Sequence, residues 1–195
     1  FELPGIVIKQ VPSRRYRVGT SAAHLLGYVG EITADQIASQ DFAGLPDDAV
    51  VGQSGLEFTY NQLLMGTDGR RQVIVNSVGR EVETIETNDP INGTRLQLTL
   101  DADLQKAAEE AFAATGFSGA AIVLEPGTGE VLVMTSVPTY DPNAFALGID
   151  MRSWQALNTD DRRPLHNRAL QGRYSPGSIF KIVVATAALE EGLVT

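Results

Sequence analysis

Ser175-Pro-Gly-Ser-Ile-Phe-Lys181 runs directly into the apolar stretch Ile182-Val-Val-Ala-Thr-Ala-Ala-Leu189, and Gly192 follows two glutamates. Pro176 and Gly177 provide a sharp entry, the apolar run has helix-compatible length, and glycine is a common stop, so a helix is predicted from Ser178 to Glu191. Ser178 and Lys181 stand at i and i+3 and therefore share one face of it. A free serine is a weak nucleophile, and a neighbouring base makes it reactive. A lysine serves as that base only when its pKa falls from about 10.4 towards neutrality, which burial would bring about. Ile179, Phe180, Ile182 and Val183 are expected to supply the burial. The reading makes Ser178 a nucleophile and Lys181 its general base, with first-turn amides and the helix dipole stabilising negative charge beside the serine. A plain N-cap serine with an exposed lysine accounts for the same letters, and with ten serines and three lysines a chance Ser-x-x-Lys is expected about 0.15 times.

Upstream of this motif the pattern alternates between short strands and short helices. Gly5 to Val18 carries β-branched segments in which Arg15 and Arg17 read, with Arg14, as a solvated strand face. Ser21 to Leu26 is predicted to form one or two helical turns ending near Gly27. Thr33-Ala-Asp-Gln36 and Ser54-Gly-Leu-Glu57 have capping-box spacing, so Glu57 is read as a cap, and Leu56, Tyr60, Leu63 and Leu64 continue a helix to Gly66. Strands are expected where Val73 and Val75 alternate, with a turn at Gly79-Arg80, and again where Leu96, Leu98 and Leu100 alternate with Arg95, Gln97 and Thr99. Asn88-Asp-Pro-Ile-Asn-Gly93 lies between them and marks a boundary, dividing the chain into residues 1–92 and 93–195.

Beyond the boundary, Asp101 is predicted to cap a helix with an apolar stripe of Leu104, Ala108, Ala111 and Phe112, stopped by Gly116. A hairpin follows, turning at Glu125 to Glu130, and its second strand, Val131 to Val137, is apolar enough to be buried on both faces. Tyr140-Asp-Pro-Asn143 reads as a turn, and helical pieces are expected around Trp154 and from His166 to Leu170. The fold class is α+β.

Composition narrows the function. The chain has 195 residues, 43% hydrophobic and 20% charged, which suits one or two folded units. Net charge is −9 and evenly spread, so nucleic acid is not an expected partner. Without cysteine there is no disulfide or thiolate chemistry, and His24 and His166, far apart in sequence, read as structural rather than as metal ligands. No cofactor or metal is expected. The longest apolar run is too short to span a membrane, and the absence of an initiator methionine suggests a fragment, which leaves room for an upstream anchor.

Five segments resemble class B penicillin-binding proteins in the same order: Gly52-Gln-Ser-Gly-Leu-Glu-Phe-Thr-Tyr60 with Leu64-Met-Gly66, Leu98-Thr-Leu-Asp-Ala-Asp-Leu-Gln105, Gly127-Thr-Gly-Glu-Val-Leu-Val-Met-Thr-Ser-Val-Pro138, Tyr140-Asp-Pro-Asn-Ala-Phe145, and Arg168-Ala-Leu-Gln-Gly-Arg-Tyr-Ser-Pro-Gly-Ser-Ile-Phe-Lys181. Leu25-Leu-Gly-Tyr-Val-Gly-Glu31 and Pro164-Leu-His-Asn-Arg168 are most similar to the elongation-type subgroup. The resemblance implies a non-catalytic pedestal (dimerisation-type) domain over 1–92 and the front of a serine β-lactamase-like transpeptidase domain, with antiparallel sheet and helices, over 93–195. It implies a D,D-transpeptidase that cross-links peptidoglycan through an acyl-enzyme on Ser178, whose backbone amide contributes to the oxyanion hole. Stem peptides ending in D-Ala-D-Ala and β-lactams would be its ligands, membrane proteins of cell-wall synthesis its partners, and the periplasmic face of the inner membrane its location.

The family's Ser-x-Asn and Lys-Thr/Ser-Gly motifs are expected downstream of Thr195, so this polypeptide is expected not to acylate efficiently alone. Two other classes remain open at this point: an interaction module in which the serine helix is incidental, and a β-lactam sensor or class D-like β-lactamase, against which the leading 90-residue segment argues.

Overall fold

The computed structural model describes residues 13–194, and most of the predicted β-branched segment Gly5 to Val18 lies outside them. The architecture is α+β. Its first unit begins with α1 (Ala23–Leu26) and the antiparallel pair β1 (Val29–Glu31) and β2 (Val50–Gly52), in the register Val29↔Gly52, Gly30↔Val51 and Glu31↔Val50. Between the strands stand α2 (Ala34–Ile37) and a 3-10 turn, Gln40–Phe42. The Thr33 capping box forms as the spacing predicts, with the Gln36 amide donating to Thr33 Oγ1 and the Thr33 amide to Gln36 Oε1. Ile32, Phe42 and fully buried Val51 form the small core. Arg15 and Arg17 are exposed but lie on no strand.

The Ser54 box does not form. Ser54 precedes α3 (Gly55–Thr59) without a side-chain cap, and its buried hydroxyl makes no hydrogen bond. Glu57 is held instead by Arg14 in a fork, Nε to Oε1 at 2.8 Å and Nη2 to Oε2 at 3.0 Å. A two-pronged charge-assisted contact outcompetes one neutral cap bond. The predicted helix to Gly66 breaks at Tyr60 (φ −111°, ψ 24°), and α4 (Asn61–Met65) continues it, with buried Asn61 accepting the Gly52 amide at 2.8 Å. Two glycines make this packing possible. A Cβ on Gly27 (φ +79°) would lie 1.8 Å from the Ser54 carbonyl oxygen, and one on Gly52 2.0 Å from that of Glu57.

The hairpin β3 (Arg70–Val75) and β4 (Glu81–Asn88) forms around the predicted Gly79 turn. No residue of either strand is buried, and Val75, Val82 and Ile85 are more than half exposed. Its alternation therefore reflects strand propensity without a layer beneath. At its root, an isolated bridge joins Thr67 to Ile91. Leu96 to Leu100 is not a strand. This segment touches the start of the neighbouring strand through Thr99 Oγ1, which donates to the Val131 carbonyl at 2.7 Å, and through the Asp101 amide, which donates to that of Leu132 at 3.0 Å. With a side chain in place of one of the backbone groups, no ladder is completed.

The second unit begins with α5 (Ala102–Thr115), capped by Asp101, whose carboxylate accepts from the Asp103 and Leu104 amides, and stopped by Gly116 (φ +69°), as predicted. Its inward residue is Gln105, 3% exposed, while Leu104 of the expected stripe is 46% exposed. β5 (Gly119–Leu124) and β6 (Val131–Val137) form the hairpin, and no residue of β6 is exposed. Gln105 Oε1 accepts the Met134 amide at 2.9 Å, and its Nε2 donates to the Met134 carbonyl at 3.3 Å and to Glu109 Oε1 at 2.7 Å. One amide side chain thus pairs both backbone groups of Met134 on the strand edge that faces away from β5, where an open edge would otherwise invite association.

Tyr140 to Asn143 starts a helix rather than a turn: Asp141 caps α6 (Pro142–Ala146), and proline at the first position gives up an amide that would be unpaired anyway. α7 (Met151–Thr159) and α8 (Arg168–Gln171) follow, then a 3-10 turn, Gly177–Phe180, and α9 (Lys181–Glu190). Ala23, Tyr140 and Phe145 are the buried centre of a second core joined by Tyr28, Ile149, Leu157 and Leu165, which draws on both units. Tyr28 stacks on Phe145 at 4.1 Å, and Tyr140 meets His24 edge-on at 5.1 Å.

Candidate active site

Ser178 and Lys181 are adjacent in space because of the turn that carries them. Gly177 takes φ +54°, a conformation favoured for glycine, and leads the chain into the 3-10 turn. Residues three apart eclipse in 3-10 geometry, so the two side chains rise from the same side. The Lys181 amide donates to the Ser178 carbonyl, which closes the turn, and Lys181 opens α9. The α-helix therefore begins three residues later than predicted, and the serine stands on the tighter turn ahead of it.

The expected burial is not there. Ile179 is 70% exposed, Phe180 54%, Ile182 71% and Val183 59%, and both Ser178 and Lys181 are exposed. Ile179 and Phe180 project from the 3-10 turn and Ile182 and Val183 from α9, whose main neighbour among the described residues is that turn, so none of them shields the amine from water. Among the described residues, Ser178 Oγ and Lys181 Nζ share no hydrogen bond. What the described chain supplies is the turn itself.

The approach to the serine is more firmly built. Asn167 caps α8, its Oδ1 accepting the Ala169 amide at 3.1 Å and the Leu170 amide at 3.3 Å. Ser136 on β6 is 4% exposed; its Oγ accepts the Arg168 amide at 2.9 Å and donates to the His166 carbonyl at 3.3 Å. The Arg168 guanidinium donates to the carbonyls of Arg162 and Arg163, and Arg163 is held at φ +47°, a strained conformation for a side-chain-bearing residue. Sequence reasoning passed over Ser136 and the capping role of Asn167. An asparagine ahead of Arg-Ala-Leu-Gln was a readable cap signal, whereas nothing local marks Ser136.

His24 Nε2 donates to the Pro164 carbonyl at 2.7 Å, and burial pushes its pKa below the usual imidazole value. His166 contributes its carbonyl to Ser136. No cluster of three or more potential metal ligands occurs among the described residues, and none of the described helices is long and apolar enough to cross a membrane. A cavity of about 320 Å³ lies between α1, α5 and β6, lined by Ala22, His24, Glu109 and Thr135 among others. A second, of about 290 Å³, lies by Arg14, Tyr16, Glu57 and Arg95. Neither contains Ser178 or Lys181. Burial first, and the Glu57 charge second, push the Tyr16 hydroxyl far above the ordinary phenol range, and burial pushes that of Tyr140 up to about 12.

Two family models match the chain: the penicillin-binding protein dimerisation domain over residues 1–98 and the penicillin-binding protein transpeptidase domain over residues 119–195. The chain is 34% identical, over its whole length, to the peptidoglycan D,D-transpeptidase MrdA of Haemophilus influenzae, of which it covers 30%. Among solved structures it is similar to a penicillin-binding protein (PBP2) from Helicobacter pylori in complex with MreC, with a TM-score of 0.77, 36% identity, and coverage of 94% of this chain and 34% of that one. It is likewise similar to Pseudomonas aeruginosa PBP2 in complex with WCK 5153, with a TM-score of 0.76, 37% identity, and coverage of 94% and 36%. The chain thus spans about a third of the length of these relatives.

Proposed function

The chain belongs to the penicillin-binding protein family, and on that premise we propose that it is the front part of an elongation-type peptidoglycan D,D-transpeptidase, with Ser178 as the acylated nucleophile and Lys181 as its general base. The observation that carries the reading is the 3-10 turn that places serine and lysine on one side of an element edge, within the matched transpeptidase segment. In this reading residues 1–92 form the pedestal and 93–195 the beginning of the catalytic domain. Ser178 Oγ attacks the carbonyl of the penultimate D-alanine of a stem peptide while its proton passes to Lys181 Nζ. Collapse of the tetrahedral adduct expels the terminal D-alanine, and an acceptor amine then resolves the ester. The Ser178 amide donates to the developing oxyanion. A β-lactam enters by the same attack, but ring opening keeps the leaving group tethered.

The exposed surroundings of Lys181 bear on this reading in a specific way: desolvation of the amine has to come from outside the described residues. The pedestal is assigned a partner in the cell-wall machinery, supported by the resemblance to a PBP2 found in complex with MreC, and the protein is assigned to the periplasmic face of the inner membrane. The test is covalent labelling of the full-length protein by a fluorescent penicillin. Ser178→Ala should abolish labelling, and Lys181→Gln should slow it by about a hundredfold or more, the usual contribution of a general base. Undiminished labelling of Ser178→Ala would overturn the assignment.

A further inference from the structure

Among the described residues, the hydrogen bonds that tie the segment delivering Ser178 to the N-terminal unit converge on one residue. His24, at 9% exposure, bonds it twice. Its ring Nε2 donates to the Pro164 carbonyl at 2.7 Å, and its own carbonyl accepts from Asn167 Nδ2 at 3.3 Å. The Tyr140 ring, edge-on at 5.1 Å, holds the imidazole plane, and the Tyr140 hydroxyl fixes the preceding residue by donating to the Ala23 carbonyl at 3.2 Å. Pro164 directly follows Arg163, which is held at positive φ, and Asn167 is the cap of α8. Gly172 then ends α8 in a space too tight for a side chain, since a Cβ there would lie 2.4 Å from the Arg168 carbonyl oxygen. Ser178 follows shortly after.

We propose that His24 and Asn167 are positioning residues, which together latch α8 to the N-terminal unit and so set where the Ser178 turn stands. The proposal rests on the reading of Ser178 as the acylated serine and adds a specific route by which the pedestal side of the molecule governs its placement. Among the described residues, the other hydrogen bonds between the units do not reach this segment: the Asn143 amide group exchanges hydrogen bonds with the Tyr16 backbone at 2.8 and 3.0 Å, Glu109 accepts the Ala22 amide at 2.9 Å, and Thr139 Oγ1 donates to the Thr20 carbonyl at 3.1 Å. Those contacts hold the units together. The His24 contacts hold the nucleophile's approach.

Three variants of the full-length protein separate positioning from folding. His24→Phe keeps an aromatic ring but has no donor for Pro164, His24→Gln keeps a donor, and Asn167→Asp keeps the α8 cap acceptor but has no donor for the His24 carbonyl. With a fluorescent penicillin, His24→Phe and Asn167→Asp should each lower the acylation rate constant about tenfold, leave the dissociation constant of the complex formed before acylation unchanged, and still reach full labelling. His24→Gln should recover the rate to within about threefold. Unchanged acylation in both His24→Phe and Asn167→Asp would overturn the latch, as would a weaker initial complex with an unchanged acylation rate constant. Asn167→Asp keeps the test decisive if His24→Phe does not fold. Labelling that survives Ser178→Ala would instead overturn the underlying assignment.

Discussion

Replacing Gln105 with leucine removes the side chain that closes the free edge of β6. Leucine fits the volume and fills the same inward position, but it has nothing to offer the Met134 amide, which bonds to Gln105 Oε1 at 2.9 Å, or the Met134 carbonyl, which accepts from Nε2 at 3.3 Å. A backbone group left without a partner at a half-buried site costs about 1–3 kcal/mol. The apolar side chain returns about 1 kcal/mol of that by removing a polar group from the interior. Glu109 keeps its bond from the Ala22 amide, so the contact between the units survives. With both Met134 groups stranded, the expected net loss is about 1–5 kcal/mol, read as a lower urea midpoint with an unchanged slope, or as a melting temperature lower by about 2 °C or more. Gln105→Glu sharpens the test. It keeps an acceptor for Met134 but sets a second carboxylate against Glu109, so its deficit should shrink as the pH falls towards the carboxylate range. Stability of Gln105→Leu within about 0.5 kcal/mol of the parent, the usual range of an inconsequential surface change, would refute the edge-closing role.

Arg14→Met strands the Glu57 carboxylate, whose side chain is only 10% exposed, and should cost about 1–3 kcal/mol, discounted for the partly solvated arginine. Adding Glu57→Leu should recover most of that, and a urea-based double-mutant cycle reading no coupling would show that the fork contributes nothing. Stability should also fall in acid through His24. Its folded pKa is depressed by burial, so below about pH 6.5 the unfolded chain binds the extra proton first, and stability declines by at most about 1.4 kcal/mol per pH unit until the folded pKa is passed. His24→Gln should flatten this slope in pH-resolved urea titrations, and an equal slope in both proteins would contradict it.

Where a local signal has a local partner, the sequence reads correctly. Asp101 and Gly116 bracket α5, Thr33 and Gln36 close their box, and both hairpins stand where alternation and turn chemistry put them. The failures share a cause. Ser54 and Glu57 have the same spacing as Thr33 and Gln36, but Arg14, 43 residues away, captures the carboxylate. The apolar stripe predicted for α5 runs through Leu104, Ala108, Ala111 and Phe112, whereas the deeply buried residue is Gln105, selected by a strand 29 residues on that needed a donor and an acceptor. At the candidate site, Ser178 and Lys181 were legible as a pair, because both sit on one turn. The burial expected around them does not form, because apolar letters promise burial only when another layer covers them, and among the described residues α9 meets little beyond its own leading turn.

The exposed hairpin of β3 and β4 has a practical use. Its side chains serve no core, its tip at Asn76 to Arg80 closes by its own hydrogen bonds, and its root is pinned at the Thr67 and Ile91 bridge. A peptide tag or fluorescent reporter spliced between Ser77 and Gly79 would therefore ride on a stalk, displace no packed residue, and leave the Ser178 turn undisturbed.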